Sequence, residues 1–280
     1  MEPEAAPAVK IGKMNRTRIT TLEVLSRAPN GGARPTPLLF IHGAYAAAWC
    51  WEEHFLPYFE DSGYACHAVS LSGHGGSRGR EHLDSLSIGD YVRDVEEVVG
   101  TLPAPPVLIG HSMGGMVIQK YLERTQVPAA VLMASVPPQG LWSSAIGLAF
   151  KKPDLLQNLN NLMRGGRVET NALREAMFAQ PISPEKLDEY YRRMQRESLR
   201  AIWDMTLFDL PLTHRMQRPP LLVLGAEHDH LIPASQVKMT ASTYGVEARI
   251  MPGMGHAMML ESEWRGVAEH IRTWLDGLGI

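Results

Sequence analysis

The chain has 280 residues, enough for one sizeable α/β domain, and its 45% hydrophobic and 20% charged residues exclude both a disordered polymer and a membrane bundle. Its 27 basic and 30 acidic residues, a net charge of −3, form no long block of either sign, which argues against a nucleic-acid binder. Cys50 and Cys66 are too few for a disulfide framework and lack the paired spacing of a zinc site.

At the amino terminus, Met1 to Ala8 is acidic and Pro/Ala-rich, and Lys10 to Arg18 is polar and basic with no apolar core behind it, so no signal peptide is readable. No run reaches the roughly 18 apolar residues of a spanning helix. The expectation is a cytoplasmic protein without stable membrane insertion, acting on a small molecule; its oligomeric state is unknown from sequence.

Strand-like and helix-like segments then alternate without a fixed repeat, the pattern of a parallel sheet with crossover helices. Ile19 to Ser26 alternates as an edge strand would, and Pro37 to Ile41 is a short apolar run stopping at His42-Gly43. Tyr64 to Leu71 reads as another strand before the glycine-rich stretch Ser72 to Gly79. Ile88 to Leu102, with Val92, Val95, Val98 and Val99 near helical spacing, is a helix opened by Ser87 as its cap. Val107 to Ile109 is a strand running into Gly110-His111-Ser112-Met113-Gly114-Gly115, and Met116 to Arg124 looks helical. Pro128 to Ser135 is a further strand. From there to about Leu212 helix-forming stretches take over, among them Asn171 to Ala179 and Pro184 to Trp203, broken at Gly165-Gly166 and Pro181. Strands resume at Pro220 to Gly225 and Ala248 to Met251, and Glu263 to Leu278 closes the chain as an amphipathic helix. The reading is a mostly parallel central sheet with helices on both faces, built from 1–136 and 213–280, with a helical cap inserted at 137–212.

Gly110-His111-Ser112-Met113-Gly114 satisfies G-x-S-x-G, in which a serine on a strained strand-to-helix turn lifts its hydroxyl clear of the sheet. The glycines let the turn close, and the following helix aims its N-terminal dipole and free N–H groups at developing negative charge. Ser112 is therefore the candidate nucleophile, and the Met113 N–H a candidate oxyanion donor. His111 should point away from the nucleophile and act as a packed structural histidine.

With these residues the sequence resembles the α/β-hydrolase family, in particular its smaller serine esterases, lipases and cofactor-free haloperoxidase-like members. The resemblance runs from about Ile19 to the end through landmarks in order: His42-Gly43 at the oxyanion loop, Gly73-His74-Gly75-Gly76-Ser77, the elbow, and two late turns holding an acid and a base. It implies the α/β-hydrolase fold and a Ser-Asp-His order. Asp229, in Gly225-Ala226-Glu227-His228-Asp229, falls at the family's aspartate, with Glu227 as its nearest competitor. His256, in Pro252-Gly253-Met254-Gly255-His256, falls at its base, whereas His228 and His230 flank the acid and His270 lies in the last helix. A serine hydroxyl needs such an imidazole to take its proton and a carboxylate to hold the imidazole's tautomer. By the same resemblance Ala44 supplies the second oxyanion N–H, and Tyr45 contributes to it or lines the pocket.

Ser70 or Ser72 stands where the family commonly has an aspartate before the glycine-rich segment, a departure outside the triad. No aspartate nucleophile occurs, which argues against dehalogenase and epoxide hydrolase chemistry. No phosphate-cradling glycine loop and no metal-ligand cluster is present, so no cofactor or metal is expected. Trp49, Trp51 and Cys66 read as core residues. The chain has 15 methionines, and Met113, Met116, Met254, Met258 and Met259 flank the elbow and base turn, as an apolar pocket or as core filling. In the pocket reading Trp142, Phe150, Leu155, Leu156 and Leu162 face an apolar substrate. The resemblance implies hydrolysis of a carboxylic ester or thioester with an apolar acyl or alcohol part. The alternatives it leaves are C–C bond hydrolysis, cyanohydrin cleavage or perhydrolysis by the same triad, or a ligand-sensing relative with little turnover.

Overall fold

The apolar runs bounded by turn residues fold into one eight-stranded sheet. The computed structural model describes residues 15–19, 21–142, 157 and 170–280. Its strands are β1 (Asn15–Ile19), β2 (Leu22–Arg27), β3 (Leu38–Ile41), β4 (Cys66–Ser70), β5 (Val107–His111), β6 (Ala130–Met133), β7 (Leu221–Ala226) and β8 (Ala248–Met251), in the spatial order β1-β2-β4-β3-β5-β6-β7-β8. β2 pairs antiparallel with β1 and β4, and all later pairings are parallel. The edge expected at Ile19 to Ser26 is instead β1, whose polar Asn-Arg-Thr-Arg run suits a strand with one open side. β2 lies one strand in.

Every residue of β3, β5 and β6 is buried, as in parallel strands covered on both faces. Leu38, Phe40, Val107, Ile109, Val131 and Met133 enter one core, while Leu39, Ile41, Leu108, Ala130 and Leu132 enter the other. The period of two along each strand thus divides the interior. Helices α1 (Trp49–Glu52), α2 (Phe55–Asp61) and α9 (Trp264–Gly277) cover the first core; α3 (Ile88–Val99), α4 (Met113–Tyr121) and α8 (Ala234–Tyr244) cover the second. Trp49, Trp51 and Cys66 belong to the first core. α3 opens as expected: the Ser87 hydroxyl accepts the Asp90 N–H and the Asp90 carboxylate accepts the Ser87 N–H, a reciprocal cap.

Between β6 and β7 the described elements are helical: α5 (Thr170–Met177), α6 (Pro184–Arg193) and α7 (Leu199–Trp203), which continues into a π-helical turn at Asp204–Phe208. The single helix expected over Pro184 to Trp203 is two, because Met194 is extended at ψ 150° and Ser198 begins a new helix by capping the Ala201 N–H. Phe150, Leu155, Leu156, Leu162 and Gly165-Gly166 lie outside the described residues. Trp142 is 57% exposed. No helix among the described residues is long and apolar enough to cross a membrane.

Register places the carboxyl ends of the central strands side by side: Ile41 opposite Gly110, His111 opposite Met133, and Ala226 opposite Met251. All the turns singled out above leave the sheet at that edge, where open parallel sheets present their ligand crevices.

Candidate active site

β5 reaches α4 through Ser112 alone, with φ 52° and ψ −115°, a backbone conformation that a residue with a Cβ seldom adopts. Three ties over-determine it. The Ser112 N–H donates to the Met133 carbonyl at 3.0 Å, and the Ser112 carbonyl accepts from Gly115 at 3.0 Å and Val136 at 3.1 Å. The turn also packs at backbone contact: a Cβ on Gly114 would stand 2.3 Å from the Ile41 carbonyl oxygen, and one on Gly43 would stand 3.0 Å from the Ser112 Cβ. The His42-Gly43 step is itself held, since the His42 Nε2 accepts the Leu71 N–H at 3.0 Å and its Nδ1–H donates to the Gly43 carbonyl at 2.8 Å. Burial, and then the neighbouring His74, push the His42 imidazole down to about 3, so it is neutral and structural. Ser112 itself is only partly buried.

Beyond β7 the Asp229 carboxylate uses both oxygens. Oδ1 accepts the Leu231 and Ile232 N–H groups, each at 2.8 Å, and Oδ2 accepts the His256 Nδ1–H at 2.7 Å. The two side chains are 0% and 4% exposed. A hydrogen bond to an acid in so dry a place fixes the orientation of the imidazole, with Nδ1 turned to Asp229 and Nε2 turned away from it. Glu227 is exposed and accepts instead the Gly253 N–H at 2.9 Å, and His228 and His230 are exposed. The acid and base turns are further joined where the His228 N–H meets the Met254 carbonyl at 2.9 Å.

His111 links this pair to the elbow. Its Nε2–H donates to the His256 carbonyl at 2.9 Å, and the two rings stand 4.6 Å apart. Its side chain therefore packs toward the base loop as a structural group, and burial with the adjacent His256 holds it well below the ordinary imidazole range. Ala44 and Met113 leave the ends of β3 and the elbow, with Met113 at the first position of α4, where a helix cannot satisfy its own N–H. Tyr45 has φ 64°, and its carbonyl accepts the Gln195 N–H at 2.9 Å. Its hydroxyl is pushed up by burial and by Glu197.

Four buried carboxylates, Asp94, Glu197, Asp204 and Glu261, escaped the sequence reading, and the first two hold the glycine-rich loop. Asp94 comes in from α3 to accept the Ser72 N–H at 2.7 Å and the Ser72 hydroxyl at 2.8 Å, so the glycine-rich loop is secured by a distant acid where the family pattern has an adjacent one. Its position among Tyr91, Val92, Val95 and Val98 on the apolar face of a helix was the available signal. Glu197 lies in the break between α6 and α7, 3.1 Å from the His74 Nε2, with both side chains fully buried. It also accepts the Tyr91 hydroxyl at 2.6 Å and the Ser198 N–H at 2.7 Å. Burial alone would raise this carboxyl, but His74 and the hydrogen bonds hold it below its usual range; burial alone would lower His74, but Glu197 and the Ser72 carbonyl hold it above its own.

The methionines near the elbow and base turn are all buried and divide between the two cores: Met113 and Met116 in one, Met254, Met258 and Met259 in the other. Among the described residues no cluster of three or more His, Cys, Asp or Glu side chains is placed to hold a metal ion.

Residues 38–270 match the profile of a family described as "Alpha/beta hydrolase family". The chain is 25% identical over 235 residues to a monoacylglycerol lipase of Mycolicibacterium smegmatis, covering 79% of this chain and 81% of that one. Among solved structures, it superposes on an esterase from Exiguobacterium antarcticum with a TM-score of 0.70 at 18% identity, covering 95% of this chain and 100% of that one. A bromoperoxidase from Bacillus anthracis gives a TM-score of 0.72 at 17% identity, with coverage of 95% and 100%. At such identities the two structures speak for the fold alone.

Proposed function

We propose that this chain, which belongs to the alpha/beta hydrolase family, is a serine hydrolase that cleaves carboxylic esters, thioesters included, through an acyl-enzyme on Ser112. The observation that carries the reading is the buried 2.7 Å Asp229–His256 hydrogen bond, in a base loop tied through His111 to the strained serine. In this reading the Ser112 Oγ attacks the ester carbonyl while His256 Nε2 takes its proton, and Asp229 stabilises the imidazolium. The carbonyl oxygen, now an alkoxide, accepts the Ala44 and Met113 N–H groups. Collapse expels the alcohol with the proton returned by His256, and water, deprotonated by the same base, releases the acid.

The neutral state of His111 supports this assignment: a charged ring 4.6 Å from His256 would oppose the imidazolium that catalysis requires. The likeness to a monoacylglycerol lipase supports an apolar acyl or alcohol part. We read the helical segment between β6 and β7 as the cap over the carboxyl edge of the sheet.

The test is intact mass after exposure to a fluorophosphonate, with p-nitrophenyl ester turnover in parallel. Wild type should gain one adduct that Ser112→Ala lacks. Asp229→Asn should stay folded and lose about 10⁴-fold in kcat through the wrong imidazole tautomer. A folded wild type with neither adduct nor turnover sinks the reading in favour of a ligand-binding relative.

A further inference from the structure

Glu261 is a carboxylate only 2% exposed, in the turn before α9, and the mechanism above gives it no part. Its Oε1 accepts the Gly255 N–H at 2.7 Å and the Ala179 N–H at 2.8 Å, and its Oε2 accepts the Gln180 N–H at 3.0 Å. Gly255 immediately precedes His256; Ala179 and Gln180 follow α5 in the inserted segment. On the other side of His256, the Ala257 N–H donates to the Met177 carbonyl at 2.8 Å. The side chain of Gln180 reaches back as well, donating to the Gly253 carbonyl at 3.2 Å and accepting the Glu263 N–H at 2.9 Å. The approach is tight enough that a Cβ on Gly255 would stand 2.6 Å from the Glu261 Oε1 and 2.7 Å from the Ala179 nitrogen.

From this geometry we infer that Glu261 is a positioning residue, which sets the His256 imidazole through Gly255 and makes its placement depend on residues 177–180 of the insertion being seated against the core. The inference rests on the reading of His256 as the base. The physical reason is that the backbone on both sides of His256 is bonded to one short segment outside the sheet, and a buried carboxylate with three N–H donors is the joint. Asp229 fixes the ring's tautomer; Glu261 fixes where the ring stands. If the joint loosens, the imidazole moves relative to Ser112, and a displacement of about 1 Å at a reacting group costs on the order of 100-fold in rate.

The experiment compares Glu261→Asp and Glu261→Gln with wild type in the full chain. Aspartate keeps the charge but withdraws the oxygens by one methylene, so it cannot reach all three N–H groups. Glutamine retains an acceptor for Gly255 and Ala179 and loses the one facing Gln180. Folding is checked by circular dichroism well below the melting midpoint. The expected result for Glu261→Asp is a fall of about 100-fold in kcat with little change in KM, fluorophosphonate labelling slowed by the same factor, and a shifted or broadened downfield proton resonance of the Asp229–His256 bond. Glu261→Gln should retain more of the rate and a resonance nearer that of wild type, and it carries the test if the aspartate variant does not fold. Folded variants with wild-type kcat, labelling rate and imidazole resonance would overturn the inference. So would a smaller labelled fraction reacting at the wild-type rate, the mark of a purely structural role. If wild type itself is not labelled at Ser112, the base assignment fails first and takes this inference with it, an outcome separable from the others because it needs no Glu261 variant.

Discussion

The Nε2–H of His111 donates to the backbone carbonyl of His256 at 2.9 Å, across 145 positions of sequence. The residue before the candidate nucleophile therefore holds the main chain of the candidate base. A carbonyl can only accept, so the proton sits on Nε2, and burial keeps the ring neutral.

Replacing His111 by phenylalanine preserves the ring volume but leaves the His256 carbonyl unpartnered in a dry site, which costs about 1–3 kcal/mol. Glutamine places an amide N–H near the former Nε2. Urea denaturation should show the phenylalanine variant destabilised by that amount and the glutamine variant restored toward wild type, with ester turnover following the same order. Equal stability and turnover in the two variants would show that the hydrogen bond is without consequence.

At the elbow, Gly114→Ala would place its Cβ 2.3 Å from the Ile41 carbonyl oxygen and 2.6 Å from that of His42, both backbone atoms that cannot rotate away. The expected penalty is about 3 kcal/mol or more. Gly266 offers the opposite case: it lies inside α9 with nothing within 4 Å of an added Cβ, so Gly266→Ala should stabilise by about 0.5–1 kcal/mol. Thermal midpoints moving in the same direction for both substitutions would contradict the packing described for the elbow.

The buried His74–Glu197 pair predicts a pH signature. His74 is held above its ordinary 6.5, so its contribution to stability is present below 6.5 and is lost as pH rises through the raised folded value. Glu197 is held below its ordinary 4.5, so its contribution is present above 4.5 and is lost as pH falls through the lowered folded value. Around the pair, burial and Arg80 oppose a charge on His74 and the Ser72 carbonyl favours it, the neighbouring His42 being neutral, while the Tyr91 hydroxyl and Ser198 N–H favour the Glu197 carboxylate. Glu197→Gln strands one partner, a loss of about 3–5 kcal/mol, or roughly 10 °C in Tm. The gap in Tm between wild type and variant should be widest between pH 4.5 and 6.5 and narrow on both sides. A gap independent of pH would mean that the pair is not ionised.

Several strands were legible because burial on both faces demands short apolar runs bounded by turns, as where the run from Pro37 to Ile41 became β3; Ala248 to Met251 became β8 without adjustment, although it is an edge strand with no fully buried residue. The elbow was legible in part for a related reason, since Gly110 answers to a contact four residues on, where an added Cβ would fall 2.5 Å from the Gly114 carbonyl oxygen, whereas Gly114 answers to the distant Ile41 carbonyl. β1 was not, because an open edge tolerates the polar Asn15 to Ile19 run that elsewhere reads as loop. The break at Met194 was not, because it follows from Glu197 turning inward to a histidine far away in sequence.

By itself, then, the sequence determined the alternation of strands and helices and the serine turn, set by local periodicity and steric need, while the turns carrying Asp229 and His256 were singled out through a family resemblance. Only the tertiary structure decided which groups the buried Asp94, Glu197 and Glu261 bond, that His111 reaches His256, and that the segment around Ala179 and Gln180 is bonded to the loop carrying His256. A carboxylate can be buried only where distant chain supplies its hydrogen-bond donors, and no local pattern records where those donors come to lie.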